Sequence, residues 1–295
     1  MYRLLNQGLH SRRGVVRKSS ALLLQLQKRL SRRPRTAEDY AAAPPVLANS
    51  FPKSGTHLLD QIVAGLPGRV NYGAFLSSEV SSFQYRLRSA RSTRRFIRAT
   101  LPGEIVRGHL YYEPEYDAAL QELNFVNYFI YRDPRDVAVS TALFLRHMYP
   151  WHRLSRRTRA LPTDADGIMF IIVGSEDGGP DALLPNLAER FRLHEGWLSC
   201  PNAYAVRFED LVGPDRDARI SEMVSHYAAR TSTPVQADKT AEAIRGMIAP
   251  EKSHTFRAGK RNGWREFFTP ELKSAFKRVA GDLLIRLGYE RDYSW

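Results

Sequence analysis

Apolar and polar positions alternate in blocks along the chain, and these blocks predict strands and helices in turn. Short apolar runs typical of buried strands lie at 46–50, 104–110, 125–131 and 203–208. Helical spacing of apolar residues begins at 56 and at 134, and recurs at 77–98, 114–123, 181–199, twice within 214–248, and at 270–287. The run at 168–173 fits either element, and 251–263 reads as a loop. Because strands alternate with helices, we predict an α/β fold in which helices flank a parallel sheet.

The turn after the first predicted strand has the sequence PKSGTH at 52–57. A helix N-terminus exposes unpaired N–H groups and partial positive charge, and Gly55 lets an anion approach the backbone. A Walker loop reads GxxxxGK[ST], whereas Lys53 precedes Gly55 here and no glycine stands five positions before Gly55. The turn therefore predicts a phosphate site that differs from the NTPase loop.

A second turn of this kind follows the predicted strand at 125–131. Asp133 suits the N-cap of the next helix, and Pro134 suits its first position. Arg132 offers a fixed fork of donors to a phosphate, although a salt bridge to Asp133 or Asp136 is the alternative interpretation. Both turns fall at carboxyl ends of strands, where parallel sheets usually bind ligands.

Charge is the one unusual bulk property of the chain. The formal net charge is +13, and residues 1–40 hold ten Lys or Arg against two acids. Their apolar patch at 21–24 is far shorter than the ~20 residues that span a bilayer. We therefore divide the chain into a basic N-terminal extension at 1–40 and a domain at 41–295. The extension is interpreted as solvated and frayed, with a basic amphipathic helix that binds an anionic membrane or an acidic polymer as the alternative.

Other function classes are disfavoured by what the sequence lacks. The single cysteine, Cys200, excludes an internal disulfide framework, and it fits a reducing, cytoplasmic location. The sequence has no HExxH, CxxC or EF-hand pattern, so no dedicated metal site is expected. No nucleic-acid partner is expected. The arginine-rich stretch at 86–98 is either a solvated face or a site for an anionic acceptor.

Three separated stretches resemble the cytosolic-type sulfotransferases that use 3′-phosphoadenosine 5′-phosphosulfate (PAPS). The segment at 52–57 resembles their 5′-phosphosulfate loop, 131–140 their 3′-phosphate segment, and 256–269 their C-terminal signature RKGxxGDWKNxFT. The stretch at 207–211 also matches their YEDL strand end, and the motifs stand in family order over 45–295. The resemblance implies a P-loop-like nucleotide-binding fold. It also implies sulfuryl transfer from PAPS to a hydroxyl or amine of a small-molecule or saccharide acceptor, with release of 3′,5′-ADP.

The resemblance also implies roles for individual residues. His109 corresponds to the histidine of the family's KTHL segment, which removes the acceptor proton. Lys53 is the second catalytic residue, on the oxygen that bridges sulfur and phosphorus. His57 is a rival base. The implied nucleotide contacts are Lys53, Ser54, Gly55, Thr56, His57, Arg132, Ser140, Phe208, Arg257, Ala258 and Gly259.

Several positions depart from the family pattern. Ala258 replaces a lysine, Leu58 a tryptophan and Phe208 a tyrosine, so PAPS binding is expected to be weaker. The dimer element near 265–274 has lost its valine and glutamate, which makes a family-type dimer doubtful. The sequence leaves two rival functions open: a P-loop kinase of small molecules, and a non-catalytic binder of anionic polymers.

Overall fold

The computed structural model describes residues 2–9, 11, 14–31, 34–80, 84, 86–175, 183–249 and 261–295. The chain forms two compact units. Unit 1 comprises Met1–Ser50, Gly55–Tyr131 and Trp197–Gly259, and unit 2 comprises Phe51–Ser54, Arg132–Gly196 and Lys260–Trp295. The predicted loop at 251–263 falls mostly outside the described residues.

The helices and strands are numbered in chain order. The strands are β1 (Val46–Ser50), β2 (Val70–Ser77), β3 (Glu104–His109), β4 (Val126–Tyr131) and β5 (Ala203–Arg207). The helices are α1 (Tyr2–Leu9), α2 (Gly14–Leu30), α3 (Ala37–Ala42), α4 (Thr56–Ala64), α5 (Ala90–Arg98), α6 (Pro114–Gln121), α7 (Pro134–Leu143), α8 (Ser155–Ala160), α9 (Asp164–Val173), α10 (Leu187–Ser199), α11 (Phe208–Leu211), α12 (Arg216–Ala228), α13 (Ala237–Met247) and α14 (Pro270–Arg286). Within the described ranges, no helix has both the length and the apolar composition needed to cross a membrane.

Unit 1 is built on a five-stranded parallel sheet with the order β2-β3-β1-β4-β5. All five residues of β1, the central strand, are buried. Helix α4 buries Leu58, Leu59 and Ile62 in a core shared with β4, α12 and α13. The predicted α/β fold with a parallel sheet flanked by helices is confirmed. Parallel pairing brings the carboxyl ends of the strands, including Ser50 and His109, to one edge of the sheet.

The prediction of a helix over 77–98 is wrong at the described residues before Ala90, which are 77–80, 84 and 86–89. Strand β2 occupies 70–77, and helix begins only at Ala90, after the N-cap Ser89. The sequence analysis missed β2, whose first four residues are only partly buried. In contrast, the ambiguous run at 168–173 is the apolar part of helix α9.

The N-terminal extension is helical and packs against the edge strand β2. Leu24 of α2 is fully buried, and the Lys28 ammonium lies 2.7 Å from the Glu104 carboxylate. Gly73 has a φ of +72°, and a Cβ there would lie 3.3 Å from that of Ala21 in α2. The solvated, frayed interpretation is therefore wrong for α2, because side chains along it are held by the sheet.

Unit 2 is helical, and its described core joins α7, α9 and α14. Helix α7 continues into a π-helical turn at Phe144–Met148. A 3-10 turn at Gly263–Glu266 packs on α7 and precedes α14. The unit therefore joins two motif segments that lie about 130 residues apart in the chain, 132–136 and 261–268.

Candidate active site

The turn after β1 leaves the N-terminus of α4 without a side-chain cap. Gly55 is the N-cap residue, and its φ of +104° places its backbone in the left-handed region. A Cβ at Gly55 would lie 2.6 Å from Cδ2 of Phe208, so both the backbone angle and the packing require glycine. The N–H groups of the first turn of α4 are thereby presented for an anion.

The side chain of Phe208 packs against this turn. Its side chain, which the sequence predicts as a nucleotide contact, is only 6% exposed and packs against Gly55. The sequence analysis assigned Gly55 to the close approach of an anion. The structure adds a second reason for glycine, which is that the Phe208 ring occupies the space of a side chain.

Ser50, the last residue of β1, connects two predicted site residues within unit 1. Its Oγ lies 2.8 Å from Oγ1 of Thr56, the first residue of α4. The same Oγ lies 3.1 Å from Nδ1 of His109, at the end of β3. Thr56 and His109, predicted as phosphate contact and base, are therefore joined through one hydroxyl group.

Two groups of Ser50 hold the ring of His109. Its Nδ1 lies 3.0 Å from the carbonyl oxygen of Ser50, as well as 3.1 Å from the hydroxyl. A carbonyl only accepts, so a hydrogen bond to it requires a proton on Nδ1, whereas the hydroxyl can donate or accept. The ring packs edge-to-face on Phe75 with 5.3 Å between the ring centroids. These contacts fix the position of the ring at the end of β3.

The backbone beside His109 is fixed by a second set of bonds. The side-chain amide of Asn49 donates to the carbonyl of Leu110 at 3.0 Å and accepts from its N–H at 2.8 Å. The indole of Trp197 donates to the same carbonyl at 2.9 Å. These contacts hold the end of β3 in register with β1.

His57 lies beside a different group, the buried carboxylate of Asp60. The distances from this carboxylate are 3.8 Å to Nδ1 of His57 and 3.6 Å to Nη1 of Arg107, too long for strong hydrogen bonds. Burial raises the pKa of Asp60 to about 6, although Arg107 opposes the rise. His57 therefore belongs to the Asp60 cluster, and no described contact places it in the Ser50 network.

Lys53 and Ser54 belong to unit 2. Lys53 has a φ of +68°, an unusual value for a residue with a side chain and one that is common at ligand clamps. Its ammonium lies 3.9 Å from the centroid of the Phe144 ring. Ser54 is fully buried, and its hydroxyl has no hydrogen-bond partner among the described residues. An unsatisfied buried hydroxyl costs about 1–3 kcal/mol, and a ligand oxygen would remove that cost.

The turn after β4 is closed by its own side chains. Asp133 caps α7 by accepting a hydrogen bond from the backbone N–H of Arg135 at 2.9 Å, as predicted. The Arg135 guanidinium also donates to Asp133 at 2.7 Å and to Glu290 at 2.5 Å. Burial opposes its charge, but the two carboxylates together raise the pKa of Arg135. Arg135 is therefore a structural residue.

Arg132, which precedes α7, is paired with an acid of that helix, as the alternative interpretation of the sequence expected. Its Nη2 lies 3.3 Å from Oδ2 of Asp136. The other oxygen of Asp136 accepts the backbone N–H of Trp264 at 2.8 Å. Burial raises the pKa of Asp136, while Arg132 acts in the opposite direction. This carboxylate joins the Arg132 motif to the C-terminal motif.

The remaining predicted contacts are less defined. Ser140 lies partly exposed in α7. Arg257, Ala258 and Gly259 lie outside the described residues. Within the described part of the chain, no group of three or more His, Cys, Asp or Glu side chains is arranged to hold a metal ion.

Solved structures of sulfotransferases and of retinol dehydratase resemble the chain, and three of them are described. The first is a mouse sulfotransferase complexed with PAP, with a TM-score of 0.55 at 17% identity over 84% of this chain and 88% of that chain. The second is retinol dehydratase complexed with androsterone and the inactive cofactor PAP, with a TM-score of 0.52 at 15% identity over 85% of this chain and 82% of that chain. The third is retinol dehydratase complexed with retinol and PAP, with the same TM-score and identity over 82% of each chain. The chain has a sulfotransferase fold. Neither a protein-family model nor a curated protein matches it.

On this sulfotransferase fold, the sequence analysis missed two elements of the candidate site. Ser50 is 59 residues from His109, so nothing local marks their contact. Its one signal was its position at the end of the predicted strand, two residues before the PKSGTH turn. The Asp60–Arg107 pair was missed as well, because the two residues meet only when β3 lies beside β1 and α4 packs on the sheet.

Proposed function

We propose that the protein is a sulfotransferase that moves the sulfuryl group of PAPS to a hydroxyl or amine of an acceptor. One observation carries the proposal: the ring of His109 is held against Ser50, and the same residue links it to Thr56 at the open start of α4. The similarity of the fold to structures that contain PAP supports the choice of donor. The acceptor class is a small molecule or a saccharide.

In the proposed reaction, Nε2 of His109 takes the proton of the acceptor hydroxyl as its oxygen forms a bond to sulfur. The bond between sulfur and the oxygen bridging to phosphorus breaks, and 3′,5′-ADP is released. Lys53 stabilises the negative charge that develops on the bridging oxygen. The reaction depends on position and charge stabilisation more than on covalent chemistry with the protein.

The residues of the first turn suit the 5′-phosphate of the donor. The N–H groups at Gly55 and Thr56 supply uncharged donors, and the hydroxyl of Ser54 gains the partner that it lacks. Phe208 acts indirectly in this scheme, by holding Gly55 in the left-handed conformation. His57, the remaining predicted contact of this turn, lies 3.8 Å from the Asp60 carboxylate.

The residues of the second turn suit the 3′-phosphate. Arg132 is the charged ligand, and Asp136 positions its guanidinium in the absence of nucleotide. Ser140 and the segment Arg257, Ala258 and Gly259 complete the proposed contacts. The acidic partner of Arg132 makes a weaker phosphate site than an unpaired arginine would, since the phosphate competes with a carboxylate.

The test uses PAPS with labelled sulfate and a panel of acceptor hydroxyls and amines, together with calorimetric binding of 3′,5′-ADP. We expect His109→Gln to reduce turnover by about a hundredfold or more, because the base is lost. Its affinity for 3′,5′-ADP is expected to stay within about threefold of the wild-type value, since His109 serves the acceptor.

Two histidine variants serve as controls. His57→Gln and His147→Gln should keep most of the turnover, because the described acidic neighbours of these rings are Asp60 and, for His147, Asp164 at the start of α9. A His109→Gln variant with full activity would contradict the assigned base. Binding of 3′,5′-ADP without transfer to any acceptor would favour the non-catalytic binder, and transfer of labelled phosphate from ATP would favour the kinase.

A further inference from the structure

Helix α2 has its polarity reversed relative to an ordinary surface helix. Its buried face consists of Ser20, Leu24 and Lys28, which are 6%, 0% and 5% exposed. The opposite face carries the other four leucines of α2, and their exposures are 63% for Leu22, 48% for Leu23, 44% for Leu26 and 88% for Leu30. A helix on a water-facing surface normally buries its leucines and exposes its lysines.

Specific polar contacts fix this orientation. Lys28 donates to Glu104 of β3 at 2.7 Å, and the second oxygen of Glu104 accepts the backbone N–H of Leu101 at 2.8 Å. Gln25 donates to the carbonyl of Tyr72 in β2 at 2.8 Å. Rotating α2 to hide its leucines would leave the fully buried Glu104 without a cation, which is costly. The leucines therefore face outward as part of the fold.

Basic side chains lie on α5, the helix that α2 meets at its C-terminal end. Lys28 lies 5.6 Å from the centroid of the Phe96 ring, so the C-terminal end of α2 meets α5. Helix α5 presents four arginines, and together with Ser89 and Ser92 they line an open groove: Arg91, Arg94, Arg95 and Arg98. Two of them have acidic partners, Arg94 with Glu115 and Arg98 with Glu122. Within the described ranges, Arg91 and Arg95 have none.

We propose that α2 and α5 form a surface that attaches the protein to an anionic lipid bilayer. Exposed leucines beside a cluster of basic side chains are the pattern of helices that lie in the plane of a membrane interface. The leucines enter the acyl boundary, and the arginines bind lipid phosphates. A second copy of this chain is a poorer occupant, because residues 1–40 alone carry ten basic side chains against two acids and would repel their own copy.

The experiment measures co-sedimentation of the full chain with vesicles, without PAPS or acceptor, so that its outcome is independent of the proposed catalysis. We expect binding to vesicles that contain phosphatidylglycerol and none to vesicles of phosphatidylcholine alone. Binding should weaken as salt is added. The double variant Leu22→Ser/Leu26→Ser should weaken binding by about tenfold or more, because two apolar side chains no longer enter the bilayer.

A second variant tests the arginines separately. Arg91→Gln/Arg95→Gln should weaken binding by about tenfold or more and reduce its dependence on phosphatidylglycerol, since each arginine near an anionic surface contributes independently. Matched controls place the same changes on exposed positions of other helices: Val173→Ser/Met247→Ser, and Arg216→Gln/Arg278→Gln. These controls should bind as the wild type does. Thermal melts should show all four variants folded, since every altered side chain is at the surface.

Several outcomes would overturn the proposal. One is that the wild-type chain binds neither kind of vesicle, or both equally. Another is that the leucine variant binds as well as its matched control. A third is that light scattering finds a dimer that dissociates in Leu22→Ser/Leu26→Ser while no vesicle is bound, which would make α2 a protein interface.

Discussion

The two turns that the sequence marks as phosphate sites differ in how their helices begin. After β1, α4 starts at Gly55, and no described side chain caps it. After β4, α7 starts at Asp133, whose carboxylate accepts the N–H of Arg135 and pairs with its guanidinium. The N-terminus of α4 is open to an external anion, whereas the N-terminus of α7 is already capped by the Asp133 carboxylate.

The difference shows that a strand–turn–helix pattern alone does not define an anion site. Backbone N–H groups bind an anion only when no neighbouring side chain satisfies them first. At the first turn, Phe208 and a left-handed Gly55 keep them available. At the second, an external phosphate would have to be bound by side chains such as Arg132 and Ser140. The predictions below test this contrast from the largest expected effect to the smallest.

Removing the Asp133 carboxylate from the second turn should have the largest effect on the free energy of unfolding. Asp133→Ala deletes the N-cap of α7 and leaves the buried Arg135 with Glu290 as its one remaining carboxylate partner. We expect the free energy of unfolding, measured by urea denaturation, to fall by about 4 kcal/mol. Asp133→Asn keeps a capping oxygen and should recover about 1 kcal/mol of the loss. Equal, small losses in both variants would contradict the role of this carboxylate.

Adding a side chain at Gly55, in the first turn, should have a somewhat smaller effect on the free energy of unfolding. Gly55→Ala forces a side chain into the left-handed region and against Phe208, so we expect a loss of about 3 kcal/mol together with weaker binding of 3′,5′-ADP. Gly68→Ala is the matched control, because Gly68 has a φ of +71° but no atom within 4 Å of the new Cβ. It should cost only the backbone part, about 1 kcal/mol. Equal losses at the two glycines would show that Phe208 is not what closes the position.

A substitution of Asp60, the buried acid of α4, should have the smallest effect on the free energy of unfolding. This effect depends on pH. Asp60 has a pKa of about 6 against an ordinary value of 3.8, because it is buried. Between these values the folded state keeps a proton that the unfolded state has released, so wild-type stability falls as pH rises through this window. Asp60→Asn does not titrate. Its free energy of unfolding, relative to the wild type, should therefore rise by about 2–3 kcal/mol from about pH 4 to about pH 7. A difference that is constant with pH would contradict the raised pKa.

Much of the fold could be predicted because its signals are local. β1 and β4 are short, mainly apolar runs, and Asp133 and Pro134 mark the start of α7. β2 was missed because its first half is only partly buried and contains Asn71 and Gly73. It becomes a strand by pairing with β3 and by supporting α2, and neither partner is visible in its own sequence.

The sequence predicted which residues belong to the candidate site, but it did not predict which of them contact one another. The motifs identified His109 and Thr56 separately, while the hydroxyl that joins them lies at the end of β1 and required the sheet register to be known. The pairing of Arg132 with Asp136 was available only as an alternative to phosphate binding. The reversed polarity of α2 could not be predicted, because a leucine-rich basic segment does not show which of its faces meets Glu104.

The contrast between the two turns can be tested most directly by titrating 3′,5′-ADP into 15N-labelled protein and following the backbone amides. We predict large shifts at Gly55 and Thr56, whose N–H groups are presented to the anion. The amide of Arg135, which already donates to Asp133, should change little. Large shifts at Arg135 with none at Gly55 and Thr56 would contradict the account.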